Sequence, residues 1–306
     1  MSPAEPAGRP ERAPSGAPAA GKAVGDRFSP DEIFQRVIAT ADEEIGAPAR
    51  KLYLSGLAAG FAITITFFLY ATGRAAFPDD PTGMLAPLLY PLGFVYIIMG
   101  RYQLFTENTL TPVTLVLTRV TSVPSLLRVW VSVLAGNLTG AAVGAFVLAN
   151  TNVFSPEAAA AAVDIGTAGV ETGWWDLVVK ALFAGWLVAG LMWLEHAVRD
   201  SISRVVLVYL AIFTIPATGL YHIVVSATDT FYLAFTGNVG LLVGLWEFAV
   251  PVLLGNTIGG VVLVALLNYA QTESRLPETN RERPRLGLRD WLFGRRTPAG
   301  SPADAD

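Results

Sequence analysis

Two short polar stretches contain the side chains of this sequence that could do chemistry in an apolar setting. Residues 100–110 carry two ionisable groups and a run of hydrogen-bonding side chains inside a long hydrophobic segment. Residues 216–222 combine a proline and a glycine with His222 inside another hydrophobic segment. Polar groups at membrane depth are tolerated only where protein buries them or where they line a water-filled cavity. Both stretches are therefore candidate sites on a pathway through the protein.

The imidazole of His222 suggests which chemistry such a pathway would use. Moving a bare carboxylate-sized anion into a dry constriction costs on the order of 20 kcal/mol. Protonating an acid whose pKa is about 3.9 costs only about 4 kcal/mol at neutral pH, and imidazole can donate or accept a proton in that range. An imidazole at this position could therefore exchange a proton or a hydrogen bond with a solute on such a pathway. Alternatively, it only ties two half-helices together by hydrogen bonds.

The composition indicates the class of protein. Of the 306 residues, 53% are hydrophobic and 15% are charged, whereas soluble domains contain roughly 25% charged residues. We therefore predict an all-α membrane protein. The sequence has no cysteine, which excludes disulfides, and only two histidines, which excludes a multi-histidine metal centre. No cofactor, enzymatic activity or nucleic-acid partner is predicted.

Six long apolar segments are predicted to span the membrane, because a spanning helix needs about 20 apolar residues. They comprise residues 52–73, 85–118, 129–149, 177–194, 205–235 and 239–269. The second and fifth segments are too long for one straight span, and the two polar stretches interrupt them near the middle. Since proline and glycine end or kink helices, both segments are predicted to be broken helices.

The basic residues predict the orientation of the chain. Eighteen of the 21 Lys and Arg residues precede the first segment, follow the sixth, or lie between the second and third or the fourth and fifth. The opposite connections carry mainly acidic residues, among which we count Asp229. Because Lys and Arg are enriched in cytoplasmic loops, both termini are predicted to be cytoplasmic.

The segments that flank the membrane domain have simpler signals. Residues 1–28 are rich in Pro, Ala and Gly and are expected to form a disordered tail. Residues 29–50 have the capping signals and spacing of an amphipathic cytoplasmic helix, which could lie on the membrane or against the protein itself. A six-span transmembrane channel domain is predicted for residues 51–272 and a basic cytoplasmic tail for 273–306. The tail residues expected to touch anionic lipid head groups are Trp291, Leu292 and Phe293.

Two motifs that contain glycine and asparagine indicate an internal repeat. The third segment contains Gly136-Asn137-Leu138-Thr139-Gly140, and the sixth contains Gly255-Asn256-Thr257-Ile258-Gly259. Three spans followed by three more give two repeats of inverted topology, and paired broken helices in such repeats indicate a transport site near the midplane. The glycines are expected mainly to let helices pack closely. Asn137 and Asn256 are expected to line the passage or to support the breaks.

Several motifs occur together in a specific order along the chain. They are Leu104-Phe105-Thr106, Trp186-Leu187-Val188 with Trp193, Gly219 with His222, and Gly255-Asn256-Thr257-Ile258-Gly259-Gly260. In this order they resemble the formate/nitrite transporter family, as a divergent branch, over about residues 29–270. The resemblance implies an aquaporin-like protomer of six transmembrane helices, assembled as a homopentamer. Each protomer would contain one narrow pore for an anion such as formate, nitrite or hydrosulfide.

The resemblance also implies roles for individual residues. Leu104, Phe105 and Thr106 would form a mobile loop at one constriction, and His222 would be the lone polar group that faces the dry passage. Asn256 would support the loops or face the pore. Three further side chains fall where the family narrows its pore, although large apolar residues usually just pack against their neighbours: Tyr90, Phe94 and Ile215.

The sequence departs from the family at positions that affect selectivity. Gln103 stands where an acidic residue is usual before Leu-Phe-Thr, and Glu107 stands where a small neutral residue is more frequent. Tyr221 replaces a frequent glutamate before the histidine. Residues 150–179 lack the lysine that usually draws anions into the outer vestibule. These departures leave the substrate open.

Three charged residues near the breaks are candidates for electrostatic tuning. Arg101 and Glu107 flank the first break, and a mutual ion pair that holds the loop is predicted in preference to an action on the substrate. Lys180 is the cation nearest to the lysine-free connection and could attract the substrate or extend to the membrane interface. The other histidine, His196, is expected to be a solvated residue at the cytoplasmic end of the fourth segment.

The leading hypothesis is a homopentameric channel or proton-coupled transporter in the bacterial inner membrane. It would pass a small monovalent anion or its conjugate acid, with protons and membrane lipids as further partners. The acidic outer connections and the missing lysine favour an alternative hypothesis, a pathway for a small neutral or cationic solute. A non-transporting sensor on the same scaffold is the third alternative, and a channel is not distinguished from a carrier.

Overall fold

The described part of the chain, residues 27–273, 276 and 284–294 of this computed structural model, is built from α-helices. The predicted disordered tail lies almost entirely outside the described residues. In chain order the helices are α1 Pro30–Gly46, α2 Ala49–Ala76, α3 Leu92–Gly100, α4 Thr111–Leu117, α5 Val123–Asn150, α6 Pro156–Glu171, α7 Trp174–Ala197, α8 Ser201–Ala217, α9 Ile223–Phe235, α10 Leu241–Gln271 and α11 Leu288–Phe293. Short 3₁₀ turns at Ala86–Leu89 and Glu107–Thr109 precede α3 and α4.

Four of these helices, α2, α5, α7 and α10, are long and apolar enough to cross a membrane. The chain is therefore a multi-pass membrane protein. The two other apolar segments of the sequence are divided into shorter helices, α3 with α4 and α8 with α9. Both divisions fall at the polar stretches, as the sequence predicts.

Local chemistry explains where the two broken segments stop and restart. After α3 ends, Arg101 adopts a left-handed conformation with φ of 56°, and Pro112 occupies the first turn of α4, where a missing N–H does no harm. In the second break Pro216 lies in the last turn of α8, and Gly219 has φ of +66°. Only glycine takes such a conformation without steric strain.

The helix pairs α2–α5 and α7–α10 pack so closely that their backbones touch. A Cβ atom on Gly60 would lie 2.0 Å from the carbonyl oxygen of Asn137, and one on Gly185 would lie 2.2 Å from that of Asn256. Small residues permit this approach in membrane helices. The glycines thus have the packing role that the sequence favours, and they bring both asparagines into the interior.

The N-terminal helix α1 packs on the protein rather than lying on a membrane surface. It begins with a capping box formed by Ser29 and Glu32. Its apolar face is fully buried, with Phe34 and Ile38 packed against Leu115 of α4 and near Trp193 of α7. At the end of the helix, Arg128 of α5 donates hydrogen bonds of 2.5 and 2.8 Å to the carbonyl groups of residues 45 and 47. Of the two placements predicted for this helix, the structure selects the second.

A short C-terminal helix also docks on the membrane domain. The indole Nε1 of Trp291 in α11 donates a 2.8 Å hydrogen bond to the carbonyl oxygen of Val116 at the end of α4. Trp291 therefore has a protein partner at the end of α4, and the contact of this segment with lipid head groups stays a prediction. Phe293 remains 76% exposed. Most of the predicted basic tail lies outside the described residues.

Candidate functional site

The two helix breaks meet in the interior of the protein. Thr106 Oγ1 of the first break lies 2.9 Å from His222 Nε2 of the second. Both residues are buried, with exposures of 0% and 1%. The imidazole tautomer decides which of the two atoms donates. Leu104 and Phe105 are also buried. Three consecutive residues of the first break therefore lie in the interior of the protein.

Asn137 of α5 holds the first break in place. Its Oδ1 accepts a 2.9 Å hydrogen bond from the backbone N–H of Phe105. Its Nδ2 donates to the carbonyl oxygens of Gly56 and Gln103 at 2.8 and 2.9 Å. A broken helix leaves backbone groups without helical partners, and this one side chain bonds two of them.

Asn256 of α10 holds the second break by a matching set of bonds. Its Oδ1 accepts from the backbone N–H of Ile223 at 2.8 Å, and its Nδ2 donates to the carbonyl oxygens of Ala181 and Tyr221 at 2.7 and 3.0 Å. In both breaks the asparagine therefore bonds the C=O of one residue and the N–H of the residue two positions later. These bonds correspond to the supporting role among the two that the sequence leaves open.

Aromatic rings extend from the Thr106–His222 contact along one direction. The ring of Phe94 meets His222 edge-on with centroids 4.9 Å apart, and Tyr90 stacks on Phe94 at 5.9 Å. Ile215 is fully buried in the same apolar cluster. Within the described residues, His222 Nδ1 has no hydrogen-bond partner. The imidazole is thus held at Nε2 and has its other nitrogen available.

A polar cavity of about 750 Å³ adjoins the first break between α1, α2 and the end of α7. Its lining is mixed in charge and includes Glu43, Glu44, Gln103, Glu107, Glu195, His196 and Arg204. Among the residues that the structure describes, no group of three or more His, Asp or Glu side chains is arranged to hold a metal ion. The cavity is therefore a polar vestibule without a metal-binding arrangement of that kind.

The predicted ion pair between Arg101 and Glu107 is wrong. Arg101 Nη2 instead lies 4.0 Å from Glu43 Oε2, and both side chains are exposed, so the contact contributes little stability. Glu107 points into the protein, where it is 8% exposed, and its Oε1 has no hydrogen-bond partner among the described residues. The left-handed turn at Arg101 ends α3 and leaves this arginine at the surface while the chain carries Glu107 inward.

Glu44 of α1 joins this cavity to α4. Thr111 donates a 2.5 Å hydrogen bond from its hydroxyl to Glu44 Oε2. Burial raises the pKa of Glu44 to about 7, and the hydrogen bonds from Thr111 and Gln103 oppose that shift. This carboxyl can therefore change its charge near neutral pH while it lines the vestibule.

His196 connects α1 to α7 and is only half-buried. Its Nε2 lies 2.9 Å from Thr40 Oγ1, and its Nδ1 lies 2.7 Å from the carbonyl oxygen of Met192. The expectation of a solvated interface residue is wrong, because the docked α1 covers this end of α7 and provides a hydroxyl partner.

The comparisons with known proteins agree with this architecture. The family model for the formate/nitrite transporters matches residues 31–270. The chain belongs to this family. Inner membrane protein YfdC of Escherichia coli strain K12 is 31% identical over 242 residues, which cover 78% of this chain and 77% of that protein.

Other members of the formate/nitrite transporter family are more distant. A probable formate transporter of Methanothermobacter thermautotrophicus is 26% identical over 80% of this chain and 98% of its own length. Among solved structures, a pentameric formate channel with formate bound matches with a TM-score of 0.64 at 22% identity, covering 72% of this chain and 96% of that channel. At this identity the match shows the shared fold.

Lys180 lies beside the second break of this family member. Its Nζ sits 5.7 Å above the ring centroid of Tyr221, which is the residue before His222. The hydroxyl of Tyr221 lies 3.3 Å from Thr172 Oγ1. A cation–π contact thus holds Lys180 near the second break. The lysine therefore neither extends only to the membrane interface nor contacts His222 directly.

Asp229 is a buried acidic residue whose position the sequence analysis misjudged. It was counted in an outer connection, but it lies in the middle of α9, is 4% exposed, and has an Oδ1 without a hydrogen-bond partner in the described part of the chain. The sequence did contain a signal, because residue 229 falls inside the apolar segment 205–235. An ionisable residue inside such a segment is a functional candidate by default.

Proposed function

We propose that this protein is a membrane channel or proton-coupled transporter for a small monovalent anion or its conjugate acid. The observation that carries the proposal is the 2.9 Å contact between Thr106 and His222. It joins two helix breaks from different parts of the chain at one buried point. Paired broken helices that meet in this way are typical of transport sites near the membrane midplane.

We infer that the fold contains six spans in two inverted three-helix repeats. The matching hydrogen bonds of Asn137 and Asn256 support this inference. The matching close contacts of Gly60 and Gly185 support it as well. On this view α2, α3 with α4, and α5 form one repeat, while α7, α8 with α9, and α10 form the other.

We place the protein in the bacterial inner membrane with both termini in the cytoplasm. The distribution of Lys and Arg supports the orientation, and the name of the relative YfdC supports the membrane. The related formate channel is pentameric, so we propose a homopentamer with one passage in each protomer.

The proposed passage runs between the two breaks. Leu104, Phe105, Thr106 and His222 would line its narrowest part, and Asn137 and Asn256 would fix the shape of the breaks. Tyr90, Phe94 and Ile215 would make the adjacent part apolar. Arg101, Glu107 and Lys180 would tune the electrostatic potential at its ends. Leu104, Phe105 and the three apolar side chains all belong to one buried apolar cluster.

The chemistry of the passage favours a neutral acid as the species that crosses. The side chains around His222 are almost entirely apolar, so a bare anion would lose its hydration without compensation. His222 Nδ1, which lacks a partner in the described residues, can donate a hydrogen bond to an anion or accept one from its conjugate acid. The proposed role of His222 is to accompany the small acid through the dry segment.

The vestibule carboxyl groups favour a second candidate function. Glu44 and Glu107 lie close to the first break, and carboxylates there would attract a small cation such as ammonium. A pathway for a small neutral or cationic solute is therefore the alternative that the experiment must separate.

Substrate-resolved flux into liposomes tests the proposal. Purified protein would be assayed with formate, nitrite and ammonium at about pH 5 and about pH 7, a range in which imidazole titrates, with protein-free vesicles as the background. We expect formate or nitrite flux that rises at the lower pH and falls about tenfold or more in His222→Ala. Thr257→Val removes a hydroxyl that, among the described residues, bonds only to the carbonyl oxygen of Leu253 in its own helix; it is the control and should retain native flux. Ammonium flux without formate or nitrite flux would favour the alternative.

A further inference from the structure

In the described part of the membrane domain, two buried carboxyl groups lack hydrogen-bond partners that buried polar groups usually have. Glu107 is 8% exposed and Asp229 is 4% exposed. In each side chain one oxygen, Glu107 Oε1 and Asp229 Oδ1, has no hydrogen-bond partner among the residues that the structure describes. A buried carboxyl without partners is unfavourable, and ionisable residues in membrane domains usually mark pathways for ions or protons.

The two carboxyl groups lie on opposite sides of the Thr106–His222 contact. Glu107 follows Thr106 and lines the vestibule together with Ser55 of α2. Asp229 lies close enough to the hydroxyls of Tyr70 and Tyr90 to interact with them electrostatically. Ser55 and Tyr70 are 15 residues apart on α2, which corresponds to about 22 Å along a helix axis. Glu107 is therefore near one end of the proposed passage and Asp229 is near the other.

A continuous set of contacts runs between these two ends. Thr106, adjacent to Glu107 in the chain, contacts His222 at 2.9 Å. His222 meets the ring of Phe94, and Phe94 stacks on Tyr90. Asp229 lies about two helical turns after His222, in the middle of α9. The passage thus has a carboxyl, a narrow apolar middle with one imidazole, and a second carboxyl.

The charged surroundings of the two groups differ. Glu107 faces Glu44 on α1 and Glu195 on α7, both of which are acidic. The titratable groups that interact with Asp229 are the tyrosines at positions 70 and 90. No cation forms an ion pair with either carboxyl among the described residues. Neither group is therefore neutralised by a fixed positive charge, and a proton is the simplest ion that each can bind.

We propose that Glu107 and Asp229 are the proton-exchanging groups at the two ends of the passage. This inference rests on the proposed transport of a weak acid. At the vestibule end, the O–H bond of protonated Glu107 would break as its proton bonds to an oxygen of the entering anion, which leaves a Glu107 carboxylate. The neutral acid crosses past His222, and its proton then passes to the Asp229 carboxylate as the anion leaves. Hydronium in the vestibule gives a proton to the Glu107 carboxylate and becomes water, and Asp229 releases its proton to water on its own side, which forms hydronium there.

The net result is that one proton moves with one anion, and the reverse sequence moves both in the other direction. No oxidant or co-reactant is needed, since only O–H bonds form and break. The exchange explains why carboxyl groups can stand near an anion pathway without repelling the substrate, because the anion meets the vestibule group in its protonated form.

Isosteric substitutions test this inference with formate as the probe. Purified Glu107→Gln and Asp229→Asn proteins would be compared with the native protein in liposomes across about pH 5 to pH 8, with protein-free vesicles as background. We expect formate flux to fall about tenfold or more in each variant, with a flattened dependence on pH. Glu107→Asp and Asp229→Glu, which keep a carboxyl, should restore part of the flux and the pH dependence.

Matched controls come from exposed acids on α6. Glu171→Gln and Asp164→Asn make the same chemical changes at exposed positions outside the passage and should behave like the native protein. Size-exclusion chromatography in detergent would establish that every variant retains the native oligomer.

The outcomes separate the inference from the function on which it rests. Native-like flux and pH profiles in Glu107→Gln and Asp229→Asn would overturn the inference and leave the proposed function standing. Reduced flux with an unchanged pH profile would assign the two residues a structural role and would also overturn it. A native protein that carries neither formate nor nitrite would overturn the proposed function itself.

Discussion

The two helix breaks have the same backbone support but different surroundings. In each, an asparagine from the neighbouring repeat helix, Asn137 or Asn256, accepts one N–H and donates to the carbonyl two residues earlier. The first break borders the polar vestibule beneath α1. The second is packed among aromatic rings and has Lys180 nearby. The backbone support therefore matches at the two breaks, whereas the chemistry around each break differs.

The register of the two breaks explains how one threonine and one histidine meet. The asparagine bonds make Phe105 equivalent to Ile223. Thr106 follows the first of these residues, and His222 precedes the second, so the two polar side chains occupy non-equivalent positions of the two breaks. Their 2.9 Å contact therefore pairs different chemistry from the two halves, a hydroxyl and an imidazole. A strictly symmetric pair would have offered two copies of one group.

The largest effect is expected when either asparagine is removed. Asn137→Ala and Asn256→Ala would each leave a buried backbone N–H without an acceptor, and such a group costs about 1–3 kcal/mol. Each variant also loses the two hydrogen bonds that the side-chain Nδ2 donates and leaves a small cavity. We therefore expect each variant to lose about 3 kcal/mol or more of stability. Thermal unfolding in detergent, followed by circular dichroism, would measure the loss.

Asn238→Ala serves as the control for this pair, because Asn238 is exposed and bonds only to nearby Thr236 in the described structure. Its stability should match that of the native protein. Matching hydrogen bonds should cost the same free energy when they are lost. A low melting temperature in only one of the two asparagine variants would therefore contradict the equal support of the two breaks.

A somewhat smaller effect is expected at the glycines that seat the asparagines. In Gly60→Ala and Gly185→Ala the new methyl group would lie 2.0 and 2.2 Å from a backbone carbonyl oxygen, so the helix pairs must separate. Overpacking of this kind costs about 1–3 kcal/mol. Gly190→Ala on α7 has nothing within 4 Å of its added carbon, and helix propensity predicts a gain of up to about 1 kcal/mol. Equal melting temperatures for all three variants would contradict the close packing described above.

The sequence was sufficient to predict the parts of this architecture that depend on local chemistry. Apolar segment length indicates the spans, and proline, glycine and polar residues inside those segments indicate the breaks. Helix α6 was missed because residues 156–171 contain no long apolar run. Its capping signal was nevertheless present in Ser155, whose side chain accepts from the backbone of Ala158.

Side-chain partners were harder to predict than helices because they depend on which elements pack together. Arg101 and Glu107 are six positions apart in the sequence, yet the intervening turn sends one to the surface and the other inward. His196 gains a partner only because α1 docks on α7. The burial of Asp229 likewise follows from the packing of α9 against its neighbours, which the order of residues does not contain.

Removal of the hydroxyl at the meeting point of the breaks should affect transport more than stability. Thr106→Val keeps the side-chain shape and removes the partner of His222 Nε2. We expect formate flux to fall about tenfold, equivalent to about 1.4 kcal/mol in barrier height, and stability to fall by about 1 kcal/mol, the low end of the cost of leaving a buried polar group unpaired. Thr257→Val removes a hydroxyl that bonds only within its own helix in the described structure and should leave flux unchanged. A native flux in Thr106→Val would mean that the two breaks touch without acting together.

The most local effect is expected at the vestibule, where the first break differs most from the second. Glu44 has a pKa near 4.5 in water and about 7 beneath docked α1, so docking is strongest below about pH 4.5 and weakens as the pH rises through about 7. Glu43 and Glu107 face it as further acids. A spin label at Ala39→Cys, the sole cysteine of that variant, should gain mobility over this range, because a change of pKa from 4.5 to about 7 corresponds to a shift of up to about 300-fold in the docking equilibrium. Glu44→Gln should abolish the pH dependence, because a neutral amide has no charge to gain; a label that moved equally in both proteins would assign the titration to another group.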